Sequence, residues 1–170
     1  FYLFYSDNMK SNGLRYINVL TSDSPVGPFE EYKGTDYYGN ELDGYKAPIF
    51  RHNDSLGLSV LDQNLFIDDD GSMYMYYSIY DTGIMQYIIG VSMLDPVTPD
   101  WDTYKILVRP GELTPKTTST NMLIWEAYQG FTVAEGPFMV KSPVNGKYYL
   151  TYSVNHYHDR YYTVCYAYSD

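Results

Sequence analysis

YLFYS at 2–6, YMYYS at 74–78 and YLTYS at 149–153 are three copies of one aromatic-rich strand ending in Tyr-Ser. A second strand-like run ending in Ser follows each copy: Ser6 to Ser22, Ser78 to Ser92 and Ser153 to Ser169 span 16, 14 and 16 residues. Strand, turn and strand at a near-constant interval is a hairpin, so the chain repeats one β unit. The offsets Ser6 to Ser78 and Ser78 to Ser153 are 72 and 75 residues. These are longer than the roughly 40–50 residues of common propeller repeats but suit blades that carry loop insertions. The spacing predicts an all-β fold of radially repeated, four-stranded antiparallel blades.

Composition points the same way. The 22 Tyr among 170 residues match the aromatic enrichment of half-buried strands. The pairs Asn12-Gly13, Gly39-Asn40, Asp70-Gly71 and Asn145-Gly146 supply the positive-φ geometry of tight turns. A closed propeller needs at least about four blades, whereas three hairpin copies are visible, so a partial propeller is expected. Phe1 opens inside a strand, and Asp170 stops just after the Ser where the first copy continues into SPVGPF at 24–29; both ends read as cut from a longer protein. No secretory leader or long apolar span is present, and localisation stays open between secreted, periplasmic and cytoplasmic. The one cysteine, Cys165, cannot form an intrachain disulfide and reads as a small buried hydrophobe.

A net charge of −10 argues against a nucleic-acid partner, whose phosphates are neutralised by clustered Lys and Arg. Abundant Tyr suits neutral sugars, which offer hydroxyls to carboxylates and apolar ring faces to aromatics. Two strands preceding the second and third hairpins each hold one carboxylate among apolar neighbours: Asp62 in SVLDQNLFI at 59–67 and Glu135 in FTVAEGPFMV at 131–140. They read as matching places in the repeat, near the start of each blade's innermost strand, and would converge on a shared pocket. Burying such charge is costly unless it is paired or used. Two carboxyl groups in one cavity can hold different protonation states, as glycoside hydrolysis requires; the alternative is that each accepts hydrogen bonds from turn amides.

Asp68, Asp69 and Asp70 precede Gly71 between two strands and read as a hairpin turn, since the spacing of a calcium loop is missing. His52, His156 and His158 lack partners at zinc spacing, and no phosphate loop or serine elbow occurs. Loops between second and third strands should lie at the channel mouth with the carboxylates. Asn155 and His156, with neighbouring Tyr157, are therefore candidate sugar contacts, and Trp125 in IWEAYQG is a candidate aromatic platform. Solvated loop residues and ordinary packing remain the alternatives for these positions.

The stretches VAEGPFMVKSPVNGKYYLTYSVNHY at 133–157, LDQNLFIDDDGSMYMYY at 61–77 and TSDSPVGPF at 21–29 together resemble glycoside hydrolase family 43. That resemblance implies a five-bladed propeller enzyme releasing arabinose, xylose or related sugars from plant polysaccharides by inversion. Residues 1–170 would then be a fragment of one such domain, with the end of blade two at about 1–30, blade three at about 55–100 and most of blade four at about 130–170. It further implies Glu135 as general acid and Asp62 as the carboxylate that positions it and raises its pKa. The general base is expected upstream of Phe1. Gln63 departs from the Asp-Pro usual in the family. The resemblance implies an oligo- or polysaccharide substrate, no membrane partner and no cofactor for the chemistry; a noncatalytic sugar-binding propeller is the alternative. The 170-residue piece alone is expected to be inactive.

Overall fold

A computed structural model describes residues 1–8, 13–44, 48–50, 58–81, 85–109, 132–158 and 160–169. Among them are twelve strands and no α-helix. Strands β1 (Tyr2–Asn8), β2 (Arg15–Thr21) and β3 (Glu30–Glu31) form an antiparallel sheet, followed by a small hairpin of β4 (Lys33–Thr35) and β5 (Glu41–Asp43). A four-stranded antiparallel blade comprises β6 (Leu58–Ile67), β7 (Met73–Asp81), β8 (Met85–Asp95) and β9 (Thr98–Val108). Strands β10 (Thr132–Lys141), β11 (Tyr148–Val154) and β12 (Thr163–Ser169) make the next antiparallel sheet. The three Tyr-Ser runs lie in β1, β7 and β11, and each pairs antiparallel with the strand after it. The sheets form an open arc of a propeller.

Alternation along the strands builds the core. Met75, Tyr77 and Ile79 of β7, with Ile89, Val91 and Met93 of β8, pack against Ile17 and Val19 of β2 and Phe50. Tyr76 and Ile88 face the other way and pack with Ala134, Leu150, Tyr152 and Val154 of the next blade. The central blade is thus apolar on both faces, which is why its strands lack a simple inside-out pattern. Phe50 and Tyr77 meet with ring centroids 4.9 Å apart. Burial pushes the Tyr77 hydroxyl far above its ordinary titration range.

Strand β6 serves both neighbours by changing phase. Leu58 and Val60 pack toward β2. Between Leu61 and Asn64 the register slips by one, because the step from Leu61↔Ser78 to Asn64↔Tyr76 sets two residues of β6, Asp62 and Gln63, against one of β7, Tyr77, a three-residue advance against two. After this bulge, odd-numbered Gln63 and Leu65 face the earlier sheet, Gln63 accepting a 2.7 Å hydrogen bond from the Ser6 hydroxyl. Even-numbered Asp62, Asn64, Phe66 and Asp68 face the later one. The Gly136 amide donates to Asp62 Oδ2 at 3.3 Å and the Met139 amide to Asn64 Oδ1 at 3.0 Å. Phe66 meets Tyr148 edge to face at 6.1 Å. Lys141 Nζ reaches Asp68 at 2.7 Å and Asp69 at 2.9 Å, and the Tyr148 hydroxyl also donates to Asp68. A one-residue shift exchanges the faces of a strand; without the bulge Asp62 would point with Val60 into the apolar core.

The aspartate run is the turn that its sequence predicts: the Gly71 amide donates to the Asp68 carbonyl at 3.0 Å, and Gly71 has φ +86°. It also supplies the ionic end of the seam, a role its spacing does not reveal. A short parallel bridge (Thr132↔Met85, Val133↔Gln86) completes the joint between β10 and β8.

Two measurements check the seam. Asn64→Ala leaves the Met139 amide without its acceptor and should cost about 1–2 kcal/mol, read as a lower urea midpoint at unchanged slope. The Lys141 ammonium, then the Tyr148 hydroxyl, hold the Asp68 carboxyl down from 3.8 to about 2. A carboxyl lowered in the folded state contributes stability above its unfolded value and loses it as pH falls toward the folded one. Melting temperature should therefore drop between about pH 4 and 2, and Asp68→Asn should flatten that limb.

Candidate active site

Asp62 and Glu135 come together at the inner edges of adjacent blades. Both strands carry a bulge at the same place: in β10, Glu135↔Ser153 is followed by Phe138↔Thr151, repeating the three-against-two register of β6. Superposing the two registers makes Asp62 the counterpart of Gly136 and Leu61 the counterpart of Glu135. The carboxylates are therefore offset by one residue, which corrects the matching places read from the sequence. The left-handed backbone agrees, with φ +55° at Asp62 and +60° at Gly136. Glycine adopts this region freely and Asp is among the side chains that tolerate it best. Gln63 occupies in β6 the bulge position that Pro137 occupies in β10, and its side chain contacts Ser6 there.

The bulge brings Asp62 to the backbone directly after Glu135, through the Gly136 amide. Asp62 is exposed to solvent, yet the surrounding protein removes part of the solvation of its carboxyl. Its carboxyl is raised above the ordinary range first by loss of solvation and then by the charge of Glu135; the Gly136 amide and the charge of Arg15 oppose this. The buried Ser78 hydroxyl also favours the ionised form, although no hydrogen bond of ordinary geometry joins it to Asp62.

Glu135 is half-buried and held at both oxygens. Gln86, 5 % exposed, donates from Nε2 to Oε2 at 3.1 Å, and Tyr162, 40 % exposed, donates from its hydroxyl to Oε1 at 2.9 Å. Burial first, then Glu135 as acceptor and the charges of Glu135 and Asp62, raise the Tyr162 hydroxyl above its usual range, while Ser153 lowers it. Sequence reasoning missed both partners. Gln86 could have been noticed as the one polar residue opening the apolar run QYIIGV at 86–91.

The loop from Asn155 to Tyr162 returns over this site. Asn155 is 1 % exposed with φ +69°; its amide donates to the Val133 carbonyl at 3.3 Å and its side-chain Nδ2 to the Tyr161 carbonyl at 2.9 Å. It braces the loop that delivers Tyr162 and presents little surface to a ligand, unlike the direct contact expected from sequence. His156, Tyr157 and His158 form an aromatic stack, with centroids 4.7 Å apart for the first pair and 4.0 Å for the second. Trp125 lies outside the described residues. A cleft of about 780 Å³ between the outer parts of the two blades is lined by residues including Phe66, Tyr74, Lys105, Tyr148 and Tyr168. Neither Asp62 nor Glu135 lines it, so chemistry rather than cavity size locates the site.

Comparison with known proteins supplies the family. The chain is 28% identical over 143 residues to an arabinoxylan arabinofuranohydrolase of Bacillus subtilis (strain 168), covering 82% of this chain and 23% of that protein. A thermostable family-43 glycoside hydrolase is 28% identical with a TM-score of 0.67, covering 99% of this chain and 46% of that one. An endo-1,4-beta-xylanase from Bacteroides thetaiotaomicron VPI-5482 is 31% identical with a TM-score of 0.63, covering 98% and 49%. The chain thus spans a quarter to a half of the length of these relatives. The model for glycosyl hydrolases family 43 matches residues 1–170 throughout, and the chain belongs to that family.

Proposed function

We propose that these blades form the acid half of an inverting glycoside hydrolase acting on arabinose- or xylose-containing plant polysaccharides. The observation that carries this reading is the paired carboxylate site, where Asp62 grips the amide next to Glu135 while neutral donors hold the Glu135 oxygens. In this reading Glu135 protonates the leaving glycosidic oxygen as the bond to the anomeric carbon breaks. A base outside these residues takes a proton from water, which attacks the opposite face of the sugar. Asp62 acts twice. It fixes the backbone from which Glu135 projects, and its charge opposes loss of the last proton from the pair.

Leaving-group dependence separates these roles in the complete enzyme. Glu135→Gln removes the proton donor and should cost about 10²–10⁴-fold in kcat/KM on arabinoxylan or arabino-oligosaccharides. It should cost far less on nitrophenyl arabinoside or xyloside, whose leaving groups need little protonation; equal losses on both would remove Glu135 from the acid role.

Asn suits the left-handed backbone at position 62 as well as Asp does, so Asp62→Asn removes charge with little strain. Without that charge the acid loses its proton at lower pH, and the alkaline limb of the pH–rate profile should move down. An unmoved limb would leave Asp62 a structural role only.

A further inference from the structure

Both oxygens of Glu135 accept hydrogen bonds, from donors of different capacity. The Gln86 Nε2 group can only donate, and it sits on the buried side against Oε2. The Tyr162 hydroxyl can donate or accept, and it sits on the solvent side against Oε1. A proton placed on Oε2 would face an N–H at 3.1 Å and leave two donors opposed. A proton on Oε1 meets a hydroxyl at 2.9 Å that can turn and accept it. We propose that Gln86 and Tyr162 together select Oε1 as the oxygen that carries and delivers the proton, with Tyr162 as a positioning residue that holds Oε1 until the glycosidic oxygen displaces it. The proposal rests on Glu135 being the general acid.

The cycle balances without a further reactant. In the free enzyme the Oε1 proton is directed at the Tyr162 oxygen. On binding, the glycosidic oxygen takes that position and receives the proton as its bond to the anomeric carbon breaks. The carboxylate left behind again accepts from Tyr162; the attacking water closes the bond to the anomeric carbon, and the proton that the base took from it is released to solvent as Oε1 takes one up, which restores the starting state. Asn155 supports this indirectly, since its two hydrogen bonds tie the loop carrying Tyr162 to the first residues of β10 and fix the hydroxyl relative to Glu135.

Tyr162 donates to the ionised form, so its hydroxyl draws the acid toward proton loss, opposite in sign to Asp62. Tyr162→Phe keeps the ring of a partly exposed side chain and removes the hydroxyl that donates to Glu135 and is met by Ser153. In the complete enzyme it should move the alkaline limb of kcat/KM up by about one pH unit. It should also lower kcat on arabino-oligosaccharides by about tenfold, the share of general-acid catalysis that depends on aim, and leave nitrophenyl glycosides nearly unaffected. Glu135→Gln is measured beside it. If Glu135→Gln shows the leaving-group dependence and Tyr162→Phe leaves both limb and kcat unchanged, the selection of Oε1 is wrong and the acid assignment stands. If Glu135→Gln shows no such dependence, the acid assignment itself falls. A downward shift of the limb in Tyr162→Phe would overturn the sign argued here.

Discussion

The bulge in β6 decides which neighbour each of its side chains meets, and the rest of the arc depends on it. A regular strand has two faces and one phase, so the run beginning Leu58, Val60 would continue with Asp62 in the same apolar layer. The extra residue turns the strand over. Apolar residues before it serve the joint with the earlier sheet, and polar ones after it serve the joint with the later one. Asp62 sits at the turning point in a left-handed backbone, a conformation that costs an ordinary L-residue roughly 1–2 kcal/mol. Such local strain persists where surroundings over-determine it, here through strand pairing on one side and the Gly136 amide on the other.

The electrostatics follow from the same geometry. Among the described residues no cation is hydrogen-bonded to either carboxyl group; Arg15 acts on Asp62 through its charge, as a lesser influence than burial and Glu135. Among the described residues, the groups hydrogen-bonded to Glu135 are an amide and a phenol, both uncharged. A guanidinium in either place would bind the carboxylate strongly and favour permanent ionisation. Neutral donors orient the group while leaving it able to exchange a proton, as general-acid chemistry demands. Lys141 shows the contrast at the far end of the seam, where ionic contact holds Asp68 well below the usual carboxylate range. Strand β6 and the turn that follows it thus carry an aspartate raised by loss of solvation and another lowered by a lysine, six residues apart.

Much of this was legible in the sequence, and the limits have physical causes. The Tyr-Ser strands declare themselves because strand periodicity and turn chemistry are local, and Glu135 and Asp62 stand out as lone charges in apolar runs. Their one-residue offset was not legible. A bulge leaves no spacing signature when its left-handed residue is an aspartate, even though Gly136 marks the equivalent point in β10. Gln86 and Tyr162 were missed because they reach Glu135 across 49 and 27 residues, through an inter-blade bridge and a returning loop. Asn155 reads in the sequence as a sugar contact because its loop falls at the channel mouth; only the fold shows it buried beneath that loop.

The seam also reads its partner in an unusual currency of atoms. Asp62 and Asn64 bind main-chain amides, those of Gly136 and Met139, groups that any non-proline residue presents. These two hydrogen bonds are therefore indifferent to the side chains of Gly136 and Met139 themselves, apart from the demand for a left-handed backbone at Gly136. Exposed side chains on β10 can drift to reshape the surface beside Glu135 while the blade keeps its seat. An engineer grafting a foreign blade onto this arc would need to preserve the β10 bulge, the lysine at its end and the small buried side chain of Ala134 that packs with Ile88.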